Sequence, residues 1–140
     1  MTGNDFITLA GKLAASANWG CDEARHRTAV SRAYYGAFHA VCLMLRDWGF
    51  MVRRNSYGHQ DAYDILWQSG HPLAQSVAVP LDDLRSLRIC ADYRTEDRQF
   101  ATPAVAKLYV ETATTLLSQL DRCRAASDEI KAAIVASQST

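Results

Sequence analysis

Apolar residues recur every three to four positions along most of this chain, and at no point do they alternate for the length of a strand. The spacing predicts a first helix from about Asp5 to Ala17, capped by Asn4 or Asp5, with Phe6, Leu9, Ala10, Leu13 and Ala17 as its apolar stripe. Asn18-Trp19-Gly20 breaks it. Asp22, with Glu23 in the first turn, opens a second helix that runs to about Trp48, and Gly49 is its natural terminating residue. Residues 50–58 read as a loop holding Arg53, Arg54, Asn55 and Ser56. A third, shorter helix covers about His59 to Gln68 and stops at Ser69-Gly70. Pro72 opens a short helical piece, and Pro80 stands in the first turn of a fourth helix that reaches about Arg94. Residues 95–101 form a polar connection. Thr102-Pro103 then starts the last long helix, which ends near Ala126. Ser127-Asp128 caps a final short helix with a frayed end.

These elements predict an all-α fold: an antiparallel up-and-down helical bundle of four long helices with one or two short ones. At 140 residues it reads as one domain over 1–140, with a core over about 5–126 and a C-terminal tail over 127–140. Trp19, Trp48 and Trp67 fall near helix ends, where they would close the ends of the bundle.

Composition narrows the function classes. Net charge is zero, with 15 basic and 15 acidic residues, which argues against a surface that attracts nucleic acid everywhere. Lys12, Lys107 and Lys131 are the only lysines, so the other twelve basic residues are arginines. Arginine is the better planar, bidentate partner for phosphate, although a high-GC genome gives the same bias. Cys21, Cys42, Cys90 and Cys123 form no CxxC pair and no zinc-finger spacing. Cys42 and Cys90 read as small core residues. No metal and no cofactor is expected, and a reducing cytoplasm fits best. No apolar run is long enough to span a membrane, and the N-terminal stretch with its Asp5 reads as an amphipathic helix, not a signal peptide.

The second helix carries an unusual polar stripe. At 100° per residue, Val30, Tyr34, Phe38, Val41, Leu45 and Trp48 gather on a core face, and Arg32, Gly36, His39, Leu43 and Arg46 on the opposite side. Arg32 and His39 lie two turns apart on one line. Ala29, Ala33, Gly36 and Ala40 stand between them, so this face is expected to be covered by another helix or by a second subunit. The fourth helix offers a matching half. Leu84, Leu87 and Ala91 face its core, while Arg85, Arg88 and Asp92 stand together beside them and Tyr93 follows at the end. Asp92 can pair with either arginine. The set is then either a surface ion pair or a guanidinium held for a phosphate.

Ser31-Arg32-Ala33-Tyr34-Tyr35-Gly36-Ala37-Phe38-His39-Ala40 resembles the first signature of the HEPN-domain proteins, in particular the small stand-alone bacterial and archaeal kind. Leu84-Arg85-Ser86-Leu87-Arg88-Ile89-Cys90-Ala91-Asp92-Tyr93 is similar to their second signature. Ser56 and His59 fall where that family often has a Ser/His pair, and Thr102 to Gln119 is similar to its closing helix. The resemblance covers about residues 5 to 120. It implies an antiparallel helical bundle that usually dimerises. For many members it implies a metal-independent ribonuclease whose site forms where two subunits meet, often a toxin neutralised by a neighbouring minimal nucleotidyltransferase. Other members are non-catalytic and bind nucleotides or partners. The family's usual catalytic motif is an Arg and a His four to six residues apart on a late helix. Here Tyr93 stands where that His is expected after Arg88, while Arg32 and His39 have the required spacing on an earlier helix.

Three functions of different classes follow. As a ribonuclease, His39 would take the proton of a ribose 2′-OH, Arg32 with Arg88 or Arg85 would stabilise the charged phosphorane, and Asp92 would orient an arginine. As a binding module for nucleotides, RNA or a protein partner, the same residues would hold phosphates, with Tyr34, Tyr35 or Tyr93 free to stack and Tyr93 a target for AMP transfer. As a structural module, Arg32, His39, Arg88 and Asp92 would form a buried network. The toxin-type ribonuclease, acting as a homodimer on RNA with a nucleotidyltransferase partner, is the leading expectation, and the binding module is the alternative.

Overall fold

The computed structural model describes residues 2–15 and 22–139, and no strand occurs among them. In chain order the helices are α1 (Gly3–Ala15), α2 (Asp22–Asp47), α3 (Gly58–Gln68), α4 (Pro72–Tyr93), α5 (Ala104–Ala125) and α6 (Ser127–Gln138), with a 3-10 turn at Arg98–Phe100. The all-α bundle expected from the periodicity is the observed fold. α2, α4 and α5 are the longest of these helices. The break at Asn18-Trp19-Gly20, Ala17 and Cys21 lie outside the described residues.

α2 is the central element and packs against α1, α4 and α5. Its Ala29, Val30, Ala33, Ala37, Val41 and Leu45 are all fully buried against these neighbours. Its C-terminus closes as its sequence requires. Gly49 takes a positive φ of 91°, and the Gly49 and Phe50 amides donate to the carbonyls of Arg46 and Leu45.

Four boundaries differ from expectation, each for a local reason. Thr2, not Asn4 or Asp5, caps α1: its hydroxyl accepts from the Asp5 amide at 3.2 Å, and the Asp5 carboxylate accepts from the Thr2 amide at 2.7 Å. The buried face of α1 is then Gly3, Ile7, Ala10 and Ala14, which leaves Leu9 exposed. Pro80 lies inside α4 and does not start it. The helix begins at Pro72, where the His71 ring accepts from the Leu73 amide at 3.2 Å. Pro80 removes one helical hydrogen bond at a cost of about 3 kcal/mol. Val77 and Leu81 on either side are fully buried and return about 1.5–3 kcal/mol each. Pro103 precedes α5 and is not its first residue, because α5 begins at Ala104. Finally, residues 127–138 are no tail: Ile130 and Ile134 of α6 are fully buried in the main core.

The first turn of α2 fastens three other segments. Arg25 donates to the Leu13 carbonyl of α1 and pairs with Asp22. His26 Nδ1 lies 2.8 Å from the Phe100 carbonyl. Arg27 donates to the carbonyls of Cys90, Ala91, Arg94, Thr95 and Asp97 and lies over the fully buried Phe100 ring. These carbonyls lie in the last turn of α4 and just beyond it, where backbone donors run out: Cys90 and Arg94 also accept from the Arg94 and Asp97 amides, and the guanidinium fork has enough donors to serve them all. No helix among the described residues is long and apolar enough to cross a membrane.

Candidate functional site

The small residues of α2 are covered by α1, which leaves Arg32 and His39 at the edge of that contact. A cleft of about 510 Å³ opens there, between α2, the side chain of Phe6 on α1 and the loop after α2. Arg32 and Arg46 of α2 line it with Arg53 and Arg54 of the loop, and His39 stands between them. Among the described residues, no aspartate or glutamate lines it. Tyr35, Phe38 and Phe6 supply the aromatic wall. The expected cover over Arg32 and His39 is thus only partial: His39 is exposed and Arg32 half-buried.

The four arginines are not equivalent. Arg53 is neutralised by Asp61, which it meets through Nε at 2.9 Å and Nη2 at 2.7 Å, and its guanidinium lies over the Tyr57 ring. The hydrogen bonds from Arg53 hold the Asp61 carboxyl down at about 2. Arg46 donates to the Val52 carbonyl at 3.0 Å and so anchors the loop to α2. Among the described residues, Arg32, Arg46 and Arg54 have no carboxylate within ion-pair distance. Three guanidiniums thus share one cleft without a counter-charge, which is the electrostatic requirement for holding an anion. Cys42 also borders the cleft, but burial pushes its thiol up to about 11, so it is no nucleophile.

The α4 residues do not join this cleft directly. Tyr35 separates the two groups, with the Arg32 guanidinium 5.7 Å and the Arg88 guanidinium 5.5 Å from its ring centre. Arg88 is also 5.4 Å from the Tyr34 ring and 5.8 Å from that of Tyr93, and 3.5 Å from Asp92. Burial works against its charge, but Tyr35, a hydrogen bond with Tyr93, Asp92 and Tyr34 outweigh this and raise its basicity. Ser31 donates to Asp92 at 3.3 Å, fixing the carboxylate from α2. Arg85 makes no ion pair with Asp92. Tyr93 is largely exposed and Tyr35 about 39% exposed.

Behind the aromatic wall lies a polar chain that the sequence did not single out as a site. Tyr34 Oη is 3.1 Å from His59 Nδ1, and His59 Nε2 is 3.2 Å from Asp82 Oδ1. Tyr34 and His59 are both buried. Burial lowers the His59 pKa, with Arg85 and Arg88 adding to the effect and Asp82 opposing it. The ring is therefore neutral near pH 7. A carboxylate can only accept, so Nε2–H donates to Asp82 and Nδ1 accepts from the Tyr34 hydroxyl. Burial pushes Tyr34 up to about 12, so its proton stays on.

Among the described residues, no group of three or more His, Cys, Asp or Glu side chains converges as a metal site. Compared with protein-family models, curated proteins and solved structures, the chain matches none.

Proposed function

We propose that this chain binds RNA by its phosphates in the arginine cleft and cleaves it there in the manner of a HEPN-type, metal-independent ribonuclease. The observation that carries the reading is the meeting of three unpaired guanidiniums with one exposed histidine in a cleft that, among the described residues, no acidic side chain lines. Phosphodiesters supply the missing negative charge. His39 supplies the imidazole in the cleft, the side-chain type suited to take the proton of a ribose 2′-OH. The attacked phosphorus then gains negative charge, which the arginines on either side of His39 stabilise. The leaving 5′-oxygen requires a proton in return. Because one cleft holds one histidine, a second copy of this chain, as the HEPN resemblance implies, supplies the second acid–base group. The same resemblance makes a minimal nucleotidyltransferase the partner of the system.

The single histidine also favours a second reading, a module that binds RNA or nucleotide phosphates without cutting them. One experiment separates the two. A fluorescent twelve-nucleotide RNA is titrated with protein in EDTA, and its products are then resolved by electrophoresis. Ribonuclease action predicts 2′,3′-cyclic phosphate ends that His39→Ala abolishes while binding persists. Binding without products, insensitive to His39→Ala, leaves the second reading. Binding that survives Arg32→Ala with Arg54→Ala refutes both.

A further inference from the structure

We propose that His59 is a positioning residue for the arginine cleft: through Tyr34 it fixes Tyr35 and Phe38, the two aromatic side chains that wall it. This rests on the reading of the cleft as an RNA-phosphate site. His59 stands in the first turn of α3, directly after the loop that carries Arg53 and Arg54. It is 6% exposed. Its partners come from two other helices, Tyr34 from α2 and Asp82 from α4.

Tyr34 is the pivot. Its ring is stacked on Phe38, with centres 5.7 Å apart and planes within 5°, and it meets Tyr35 edge-on at 5.2 Å. Both neighbours line the cleft, whereas Tyr34 itself, 3% exposed, cannot reach a ligand. The orientation of the Tyr34 ring is set by one hydroxyl hydrogen bond, and His59 Nδ1 is its acceptor. Remove that acceptor and a buried hydroxyl is left unpaired. The ring must then turn toward water, and the two wall residues packed on it must follow.

The same geometry makes the cleft respond to protonation. The charged groups facing His59 are Asp82, Arg85 and Arg88 on α4, with Tyr34 facing it from α2. A second ring proton turns the bond around: Nδ1–H now points at Tyr34 Oη, whose own proton has lost its acceptor. The added charge also sits beside Arg85 and Arg88.

The test uses the full chain carrying His39→Gln, which removes the one cleft-lining histidine and spares the RNA probe. Anisotropy titrations with a fluorescent twelve-nucleotide RNA lacking terminal phosphates are run from pH 5.5 to 8, with circular dichroism to confirm folding. At pH 8, Tyr34→Phe and His59→Leu are expected to weaken binding about tenfold, as the loss of one oriented hydrogen bond converts. His59→Asn, which restores an acceptor at the Nδ1 position but does not titrate, recovers most of that loss and flattens the fall in affinity toward pH 5.5. In parallel, the aromatic carbon–proton NMR signals of Phe38 and Tyr35 follow the titration of His59. If folded Tyr34→Phe and His59→Leu bind as tightly as their parent, the proposal is overturned and the cleft reading stands. If the parent binds no RNA, the cleft reading fails, and the Phe38 and Tyr35 signals alone decide whether His59 positions them.

Discussion

Replacing Gly36 by alanine sets two effects of opposite sign against each other. In a helix interior, Gly→Ala ordinarily stabilises by about 1 kcal/mol, because the glycine backbone loses more freedom on folding. At position 36 the added methyl would lie 2.6 Å from the Gly3 carbonyl oxygen, 2.9 Å from Ile7 and 3.0 Å from Phe6 Cβ. All three atoms belong to α1. The first is backbone and the third is fixed to it, so no side-chain rotation relieves the clash and the whole helix must retreat. Overpacking of this kind costs roughly 1–3 kcal/mol, and a rigid backbone contact places it at the upper end. The net is a destabilisation of about 2 kcal/mol, or about 4–8 °C in melting temperature for a chain of this size. Gly11→Ala is the internal control. Its methyl would meet only Val110 at 3.8 Å, so it should gain up to about 1 kcal/mol. Urea unfolding of both variants gives the comparison directly. Because Phe6 lines the arginine cleft, Gly36→Ala should also weaken RNA binding. If Gly36→Ala is as stable as the wild type, the account of the α1–α2 contact is wrong.

Four further outcomes are expected. Arg27→Lys keeps the charge but loses the fork that reaches the carbonyls at the end of α4, so it should cost about 3 kcal/mol in urea unfolding; a cost below 1 kcal/mol would show that water replaces it. Because the folded His59 pKa lies below its unfolded value of about 6.5, its contribution to stability is complete above that pH and is lost as pH falls below it. Denaturation midpoints at pH 5 and pH 7.5 should therefore differ more for wild type than for His59→Asn, and parallel changes would count against it. Asp61, held at about 2 by Arg53, adds a loss at lower pH, from about 3.8 downward, which Arg53→Ala should remove. RNA binding should weaken with salt with a slope near −2 for three phosphate contacts, and Arg54→Ala should lower the magnitude by about 0.7; an unchanged slope would take Arg54 out of the contact.

Much of the fold was legible because its determinants are local. Gly49 and Gly70 ended their helices, both with positive φ, and the 3.6-residue pattern placed α2 and α3 within a residue or two. The failures were also physical. Pro80 reads as a helix start because the sequence cannot show that buried Val77 and Leu81 hold the helix straight through it. Residues 127–140 read as a short helix with a frayed end, outside the core, yet two isoleucines one turn apart reach the core. Phe100 sat in what looked like a polar connection, and it anchors that connection to α2 through His26 and Arg27.

The site was half legible, and the missing half shows what spacing does not encode. A helical wheel assigns one core face and one outer face, but α2 is buried on several sides, so the line from Arg32 to His39 lies at the border of a contact with α1. That border is what makes a cleft. The charge in it depends on which arginines keep an acidic partner: Asp61 takes Arg53 from eight residues away, whereas the adjacent Arg54 is left unpaired. Adjacent residues of one type in one loop thus acquire opposite roles, and only three-dimensional distance separates them. His59 is the same case at longer range. Its partners are 25 residues before it and 23 after it, so a histidine that reads as a linker residue connects α2, α3 and α4 behind the cleft. Arg88 moves the other way. Its spacing to Asp92 and Tyr93 makes it a candidate site arginine in the sequence, but Tyr34, Tyr35 and Tyr93 surround it and leave its side chain 14% exposed. It therefore lies against the far side of Tyr35, while the unpaired arginines line the cleft beside His39.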